Sequence, residues 1–151
     1  MPTYTLTVPE GQLSPHQKAW VAAAITRTHA EVTGAPSSFA QVIVNEVKSG
    51  NYFVGGVPLQ GDHIFLHGHI RGGRSSEHKH ALLVRLIESI AEAADVTAGH
   101  IWAYIDDLQW SQMAEFGHIL PEPGKEPAWA AALPESERQR MESIGIRAPA
   151  I

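Results

Sequence analysis

His63-Ile64-Phe65-Leu66-His67-Gly68-His69-Ile70-Arg71-Gly72-Gly73-Arg74-Ser75-Ser76 reads as strand, turn and helix cap in one run. Ile64, Leu66 and Ile70 interleave with His67 and His69, the two-residue period of a strand with one buried face. Gly72-Gly73 turns the chain, and Ser75-Ser76 offers hydroxyl oxygens to the unpaired amides of a helix start. Leu82, Leu83, Leu86, Ile87, Ile90 and Ala94 then form an apolar stripe at helical spacing. His100 to Leu108 is the next strand, with Trp102, Tyr104 and Ile105. Strand, helix and strand of these lengths make a βαβ unit, with parallel strands joined by a right-handed crossover.

The residues before His63 carry the same pattern. Thr3 to Val8 is a strand, Pro9-Glu10-Gly11 a turn, and Ser14-Pro15 a helix start with proline at the first helical position. Val21, Ala24, Ile25, Thr28 and Val32 are spaced for a helix, Thr33-Gly34-Ala35-Pro36 stops it, and Phe39 to Val47 is a strand. A glycine-rich stretch from Gly50 to Gly61 leads into the second half. The halves align without a gap at an offset of 61 (72 − 11): Gly11 falls on Gly72, Ser14 on Ser75, Lys18 on Lys79, Ala30 on Ala91 and Glu31 on Glu92. Pro2 falls on His63, so only the first copy opens with proline.

The expected architecture is therefore α/β (α+β in some schemes). Two tandem βαβ units form a four-stranded mixed sheet with two helices on one face. Residues 1–151 make one domain, with unit 1 over about 1–61, unit 2 over about 62–120 and a tail over 121–151. Pro121, Pro123, Pro127 and Pro134 break long elements in the tail, a short helix spans Glu135 to Glu142, and Ala148-Pro149-Ala150-Ile151 is a loose end. Such a sheet leaves exposed edges and an uncovered face. Trp129 and Leu133 also need a packing surface, so a homo-oligomer whose tail wraps a neighbouring subunit is expected.

Composition narrows the function. Lys plus Arg is 11 and Asp plus Glu 16, a net charge of −5, so the chain has no basic footprint for nucleic acid. With no cysteine, thiolate nucleophiles and cysteine-based zinc sites are excluded. No apolar run reaches membrane-spanning length and no signal peptide is seen, so a soluble cytoplasmic protein is expected.

Met1-Pro2 is the first chemical signal. Removal of methionine frees a secondary amine, which serves as general base or, when protonated, as general acid. Arg71-Gly72-Gly73-Arg74 is the second. Two guanidiniums on a glycine-rich turn before a helix N-terminus can converge on one carboxylate. Tyr104, Glu115 and His29 each have an ordinary structural reading when taken singly.

Together these stretches resemble a known family. Met1-Pro2, Ala24-Ile25-Thr26 with His29 behind it, Gly55-Gly56-Val57, His67-Gly68, Arg71-Gly72-Gly73-Arg74-Ser75, His100-Ile101-Trp102-Ala103-Tyr104, Met113-Ala114-Glu115-Phe116-Gly117 and Leu120-Pro121-Glu122-Pro123-Gly124 are similar to the cis-3-chloroacrylic acid dehalogenase family of the tautomerase superfamily. The resemblance implies a 4-oxalocrotonate tautomerase-like fold assembled as a homotrimer, acting without a cofactor or metal on a small anionic substrate. It assigns Pro2 as the catalytic proline, and Arg71 and Arg74 to the substrate carboxylate. His29 binds and polarises that carboxylate, and Tyr104 with Glu115 activates water. The implied reaction is water addition at C3 of a 3-substituted acrylate, giving hydrolytic dehalogenation or hydration. The alternative is keto–enol tautomerisation of a 2-oxo acid such as phenylpyruvate, with Pro2 as base. The chain departs from the family at Ala35-Pro36-Ser37-Ser38, where polar groups are usual, at Phe116 in place of tyrosine and at His118 in place of arginine. Those changes point to inefficient turnover of cis-3-chloroacrylate.

Two rival readings rank lower. His67 and His69 share a strand face, with His78 and His80 nearby, yet no third metal ligand stands at a recognisable spacing. A non-catalytic binding protein would not need all six residues.

Overall fold

The computed structural model describes residues 2–144; the expected loose end at Ala148 to Ile151 lies outside them. Thr3–Pro9 forms β1, Pro15–Thr33 α1 and Gln41–Val47 β2. A small hairpin of β3 (Phe53–Val54) and β4 (Val57–Pro58) fills the glycine-rich connection. Ile64–Arg71 is β5, Ser76–Ala94 α2 and Ile101–Leu108 β6. The main sheet has the order β2-β1-β5-β6, parallel at β1–β2 and β5–β6 and antiparallel at the central β1–β5 pair. This is the mixed four-stranded sheet expected from two tandem βαβ units.

The repeat is visible in the caps. Ser14 and Ser75, 61 residues apart, each accept a backbone N–H at a helix start. Gly34 and Asp95, again 61 apart, both close their helices in the left-handed conformation. Asp95 pays a steric cost there that Gly34 avoids. Thr28 and Ser89 are also repeat mates, and the Thr28 hydroxyl donates to Ser89 Oγ at 3.1 Å across the helix pair. Gln17, in the first turn of α1, donates to the carbonyl of Ala94 at the end of α2 at 2.9 Å. The helices thus run antiparallel, with the end of α1 beside the start of α2.

Alternate residues of the central strands enter the core. Tyr4, Leu6 and Val8 of β1 and Ile64, Leu66 and Ile70 of β5 are fully buried with Val21 and Ile25 of α1 and Leu82, Leu86 and Ile90 of α2. Each such aliphatic side chain contributes about 1.5–3 kcal/mol by leaving water. Among the described residues no helix covers the other sheet face, and Ile43, Trp102 and Tyr104 are exposed there at 42%, 47% and 54%.

Several boundaries differ from expectation. Ser37–Phe39 is a 3₁₀ turn, so β2 begins at Gln41 rather than Phe39. β7 (Ala114–Glu115) and β8 (His118–Ile119) form a hairpin. Glu126–Ala132 forms α3 despite Pro127, because proline within the first turn removes no intrahelical hydrogen bond. Glu135–Ser143 is α4. Through residue 144 the tail makes contacts with its own chain. The Trp129 indole donates to the Ile119 carbonyl at 2.9 Å and its ring lies 6.3 Å from Phe39. His118 meets Glu137 at 2.5 Å, and Leu120, Leu133 and Met141 are buried.

Gly68 is fixed by a close approach. It faces Tyr4 across β1–β5, and a Cβ placed on it would stand 2.5 Å from Tyr4 Cε1. Gly68→Ala is expected to push the Tyr4 ring from its place and to lower stability by about 1–3 kcal/mol. Urea unfolding of the two proteins checks this, and an unchanged midpoint would contradict the packing.

Candidate active site

Four chain segments meet at one end of the sheet: the start of β1, the end of β5, the end of α1 and the start of α2. Pro2, Arg71, His29 and Arg74 lie on those four segments. Pro2 is buried and its carbonyl accepts from Gln41 N at 3.0 Å. Thr3 pairs with His69, so Pro2 lies beside the C-terminal end of β5, where Arg71 is the last residue. Arg74 follows on the turn into α2 and donates from Nη1 to the Arg71 carbonyl at 2.8 Å. Gly73 takes φ +107°, and a Cβ there would approach Pro123 Cγ at 3.2 Å, so the turn that sets the two arginines needs glycine.

The two arginines differ. Arg71 is 8% exposed, donates from Nη1 to the Pro121 carbonyl at 3.2 Å, and ion-pairs through Nη2 with Glu126. Burial pushes the Glu126 carboxyl up, but the Arg71 hydrogen bond and charge outweigh it and hold the group below the usual carboxylate range. Arg74 has no carboxylate ion pair among the described residues. Burial, with repulsion from Arg71, holds its pKa below the usual arginine value. A partly desolvated guanidinium without a counterion is the electrostatic mark of an anion site.

His29 faces the same point. It is 2% exposed, and its Nδ1 lies 2.7 Å from the Tyr4 hydroxyl. Burial and then the Arg74 charge lower its pKa to about 3, so the ring is neutral at physiological pH. Burial holds the Tyr4 phenol above its ordinary value, so it keeps its proton. A Tyr4 hydroxyl that donates to Nδ1 places the imidazole proton on Nε2. That Nε2 is buried and has no hydrogen-bond partner among the described residues. A neutral donor in want of an acceptor thus accompanies Arg74.

Tyr4→Phe is expected to leave Nδ1 unpaired, cost about 1–3 kcal/mol of stability and release the tautomer. Nitrogen-15 NMR of the His29 ring, with denaturant unfolding, reads both effects. An unchanged Nε2–H tautomer at full stability would contradict the role of Tyr4.

Tyr104 is placed elsewhere. It stands in register with His67, which is in register with Thr5, on the sheet face away from the helices. That puts it ~10 Å across the sheet and ~10 Å along it from Pro2, a separation of about 14 Å. Its ring packs edge-on against Phe65 at 5.1 Å. Glu115 lies on β7, followed by Phe116 in the left-handed region at φ 53°. Phe116 meets Phe39 edge-on at 5.8 Å, and Phe39 is two residues before Gln41, the partner of Pro2. The hairpin is therefore docked against the loop that flanks Pro2. The positions 61 residues before or after the site residues carry none of this chemistry: Pro2 maps to His63, His29 to Ile90, Arg71 to Glu10 and Arg74 to Leu13.

Two residues of this site escaped the sequence reading. Tyr4 had a usable signal, because a phenol on the core face of a strand must find a hydrogen-bond partner. Glu126 had none, since it meets Arg71 across 55 residues of chain.

A family model described as Tautomerase enzyme matches residues 2–61, which is the first βαβ unit. A solved structure of N1, a member of the cis-3-chloroacrylic acid dehalogenase family, is 31% identical, covers 94% of this chain and 99% of its own, and superposes with a TM-score of 0.90. The chain belongs to the tautomerase superfamily, within that dehalogenase family. The R7 fused 4-OT, an asymmetric trimer, is 25% identical over 78% of this chain and 94% of its own, with a TM-score of 0.70. The F6 fused 4-OT, also an asymmetric trimer, shares the fold at 22% identity, covering the same 78% and 94%, with a TM-score of 0.72. Among curated proteins none matches in sequence. No helix among the described residues is long and apolar enough to cross a membrane.

Proposed function

We propose that this tautomerase, once Met1 is removed, adds water to C3 of a 3-substituted acrylate, using Pro2 to protonate carbon. The observation that carries the reading is that Arg74, with no carboxylate ion pair among the described residues, acts on a neutral His29 whose buried Nε2 has no hydrogen-bond partner among them. A carboxylate bound there accepts from both groups, with Arg71 held behind it by Glu126. Their pull on the carboxylate leaves C3 electron-poor. Glu115, with Tyr104, takes a proton from water as the oxygen bonds to C3, and protonated Pro2 delivers a proton to C2. When C3 carries a halide, the adduct expels halide and a proton and becomes malonate semialdehyde. Stabilisation of the enediolate charge by Arg74 and His29 is the largest single contribution.

This reading includes a homotrimer. Tyr104 stands too far from its own Pro2, and its exposed face is where a neighbouring subunit packs, so its part in the water step is played across that interface. The uncovered sheet face with Ile43, Trp102 and Tyr104 supports the same assembly.

The second reading is keto–enol tautomerisation of a 2-oxo acid such as phenylpyruvate, with neutral Pro2 as base. It is favoured by one fact: the groups that reaction needs (Pro2, Arg74 and His29) are gathered by a single chain. Glu115→Gln separates the two. Water addition is expected to fall by about 10²–10⁴-fold, the range for loss of a general base, with tautomerisation nearly unchanged. Both rates are measured on one preparation, and equal losses would remove Glu115 from the water step.

A further inference from the structure

We infer that His67, His69 and Asp106 form a binding site for a divalent first-row transition ion, separate from the proline site. The inference goes beyond the proposed function and rests on none of its steps.

The strand geometry builds the site. His67 and His69 are two residues apart on β5, so both side chains leave the same sheet face. Asp106 stands directly beside His69 in the parallel β5–β6 register. The carboxylate therefore comes from a neighbouring strand, 39 residues beyond His67 in the chain, which is why no motif spacing announced it. His67 Nε2 lies 2.6 Å from Asp106 Oδ2 and His69 Nε2 lies 3.9 Å from the same oxygen. The two imidazoles are 4.4 Å apart between centroids, and one donor atom from each of the three residues falls within a 4.8 Å cluster.

Bonds of about 2.0–2.2 Å to a tetrahedral ion separate its ligands by about 3.3–3.6 Å. The observed spacings straddle that value, so small side-chain rotations admit an ion in place of the proton shared by His67 and Asp106. Phe65 lies against His67 at 5.9 Å with nearly parallel rings and restricts one imidazole before the metal arrives. Two imidazole nitrogens and one carboxylate oxygen are a borderline donor set, suited to zinc, iron(II) or cobalt(II) rather than to calcium or magnesium. Three protein ligands leave a fourth coordination position for a water molecule or another donor. His78 and His80 take no part: they lie on α2, and His78 is held by Ser75 at the helix start.

The test uses the full assembled protein, stripped of metal and titrated with zinc by calorimetry, with a parallel cobalt(II) visible spectrum. Wild type is expected to take up one zinc per chain and to give the intense d–d bands of a low-coordinate cobalt site. His69→Ala, and the more conservative Asp106→Asn, are each expected to weaken zinc by tenfold or more and to bleach the cobalt bands. A double variant, His78→Ala with His80→Ala, is expected to bind as wild type does. Zinc affinity equal in wild type, His69→Ala and Asp106→Asn would overturn the site. So would loss of uptake in the His78/His80 double variant, which would assign the metal to the helix. The readout is metal content and spectrum, so failure of the proposed reaction does not affect it.

Discussion

Pro2→Ala, prepared without Met1, is expected to lose about 10²–10⁴-fold in kcat/KM for water addition, the range for a positioned proton donor. Alanine keeps an amine at the chain start, but it loses the ring that fixes the nitrogen's direction, and a primary amine replaces a secondary one. Pro2 is buried, and its carbonyl is tied to Gln41 by a 3.0 Å hydrogen bond, so the scaffold itself sets where the nitrogen stands. Protein that retains Met1 carries an amide at Pro2 and is expected to be inactive, which intact mass and activity measured together will show. Equal rates with alanine and proline would exclude Pro2 as the proton donor.

Arg74→Ala is expected to bring turnover to background, a loss of about 10²–10³-fold or more in kcat/KM. On the proposed reaction, the variant removes the charged group that would anchor the carboxylate and offset the enediolate charge. Arg71 cannot replace it, because Glu126 and the Pro121 carbonyl already occupy it. His29 alone supplies one neutral donor. Arg74→Lys should recover only part of the loss, since an ammonium lacks the planar pair of donors. Steady-state kinetics on the alanine and lysine variants checks this, and an unchanged kcat/KM for Arg74→Ala would remove the anchoring role.

Much of the scaffold was legible because it is written twice. The offset of 61 aligned the caps as well as the strands, and helix starts at Ser14 and Ser75 follow from local hydrogen bonding alone. Alternation on β5 identified its core face without a tertiary contact. The hairpin over Ala114 to Ile119 and the placement of α3 were less legible, because their stability comes from docking on Phe39 and Arg71 rather than from periodicity. The site was legible as residue types and not as a division of labour. Nothing in Arg71-Gly72-Gly73-Arg74 says that one arginine is neutralised from within, since Glu126 is brought to it by the tail. The same limit hid Asp106 from His69: strand register joins them, and register is a tertiary fact.

The most direct test of the central claim is proton NMR of the methionine-free protein with cis-3-chloroacrylate, run beside Pro2→Ala. Slow formation of malonate semialdehyde by the proline protein, and none above background by the variant, is the expected result. Substrate left unchanged by the proline protein, or product formed equally by both, would contradict water addition driven by Pro2.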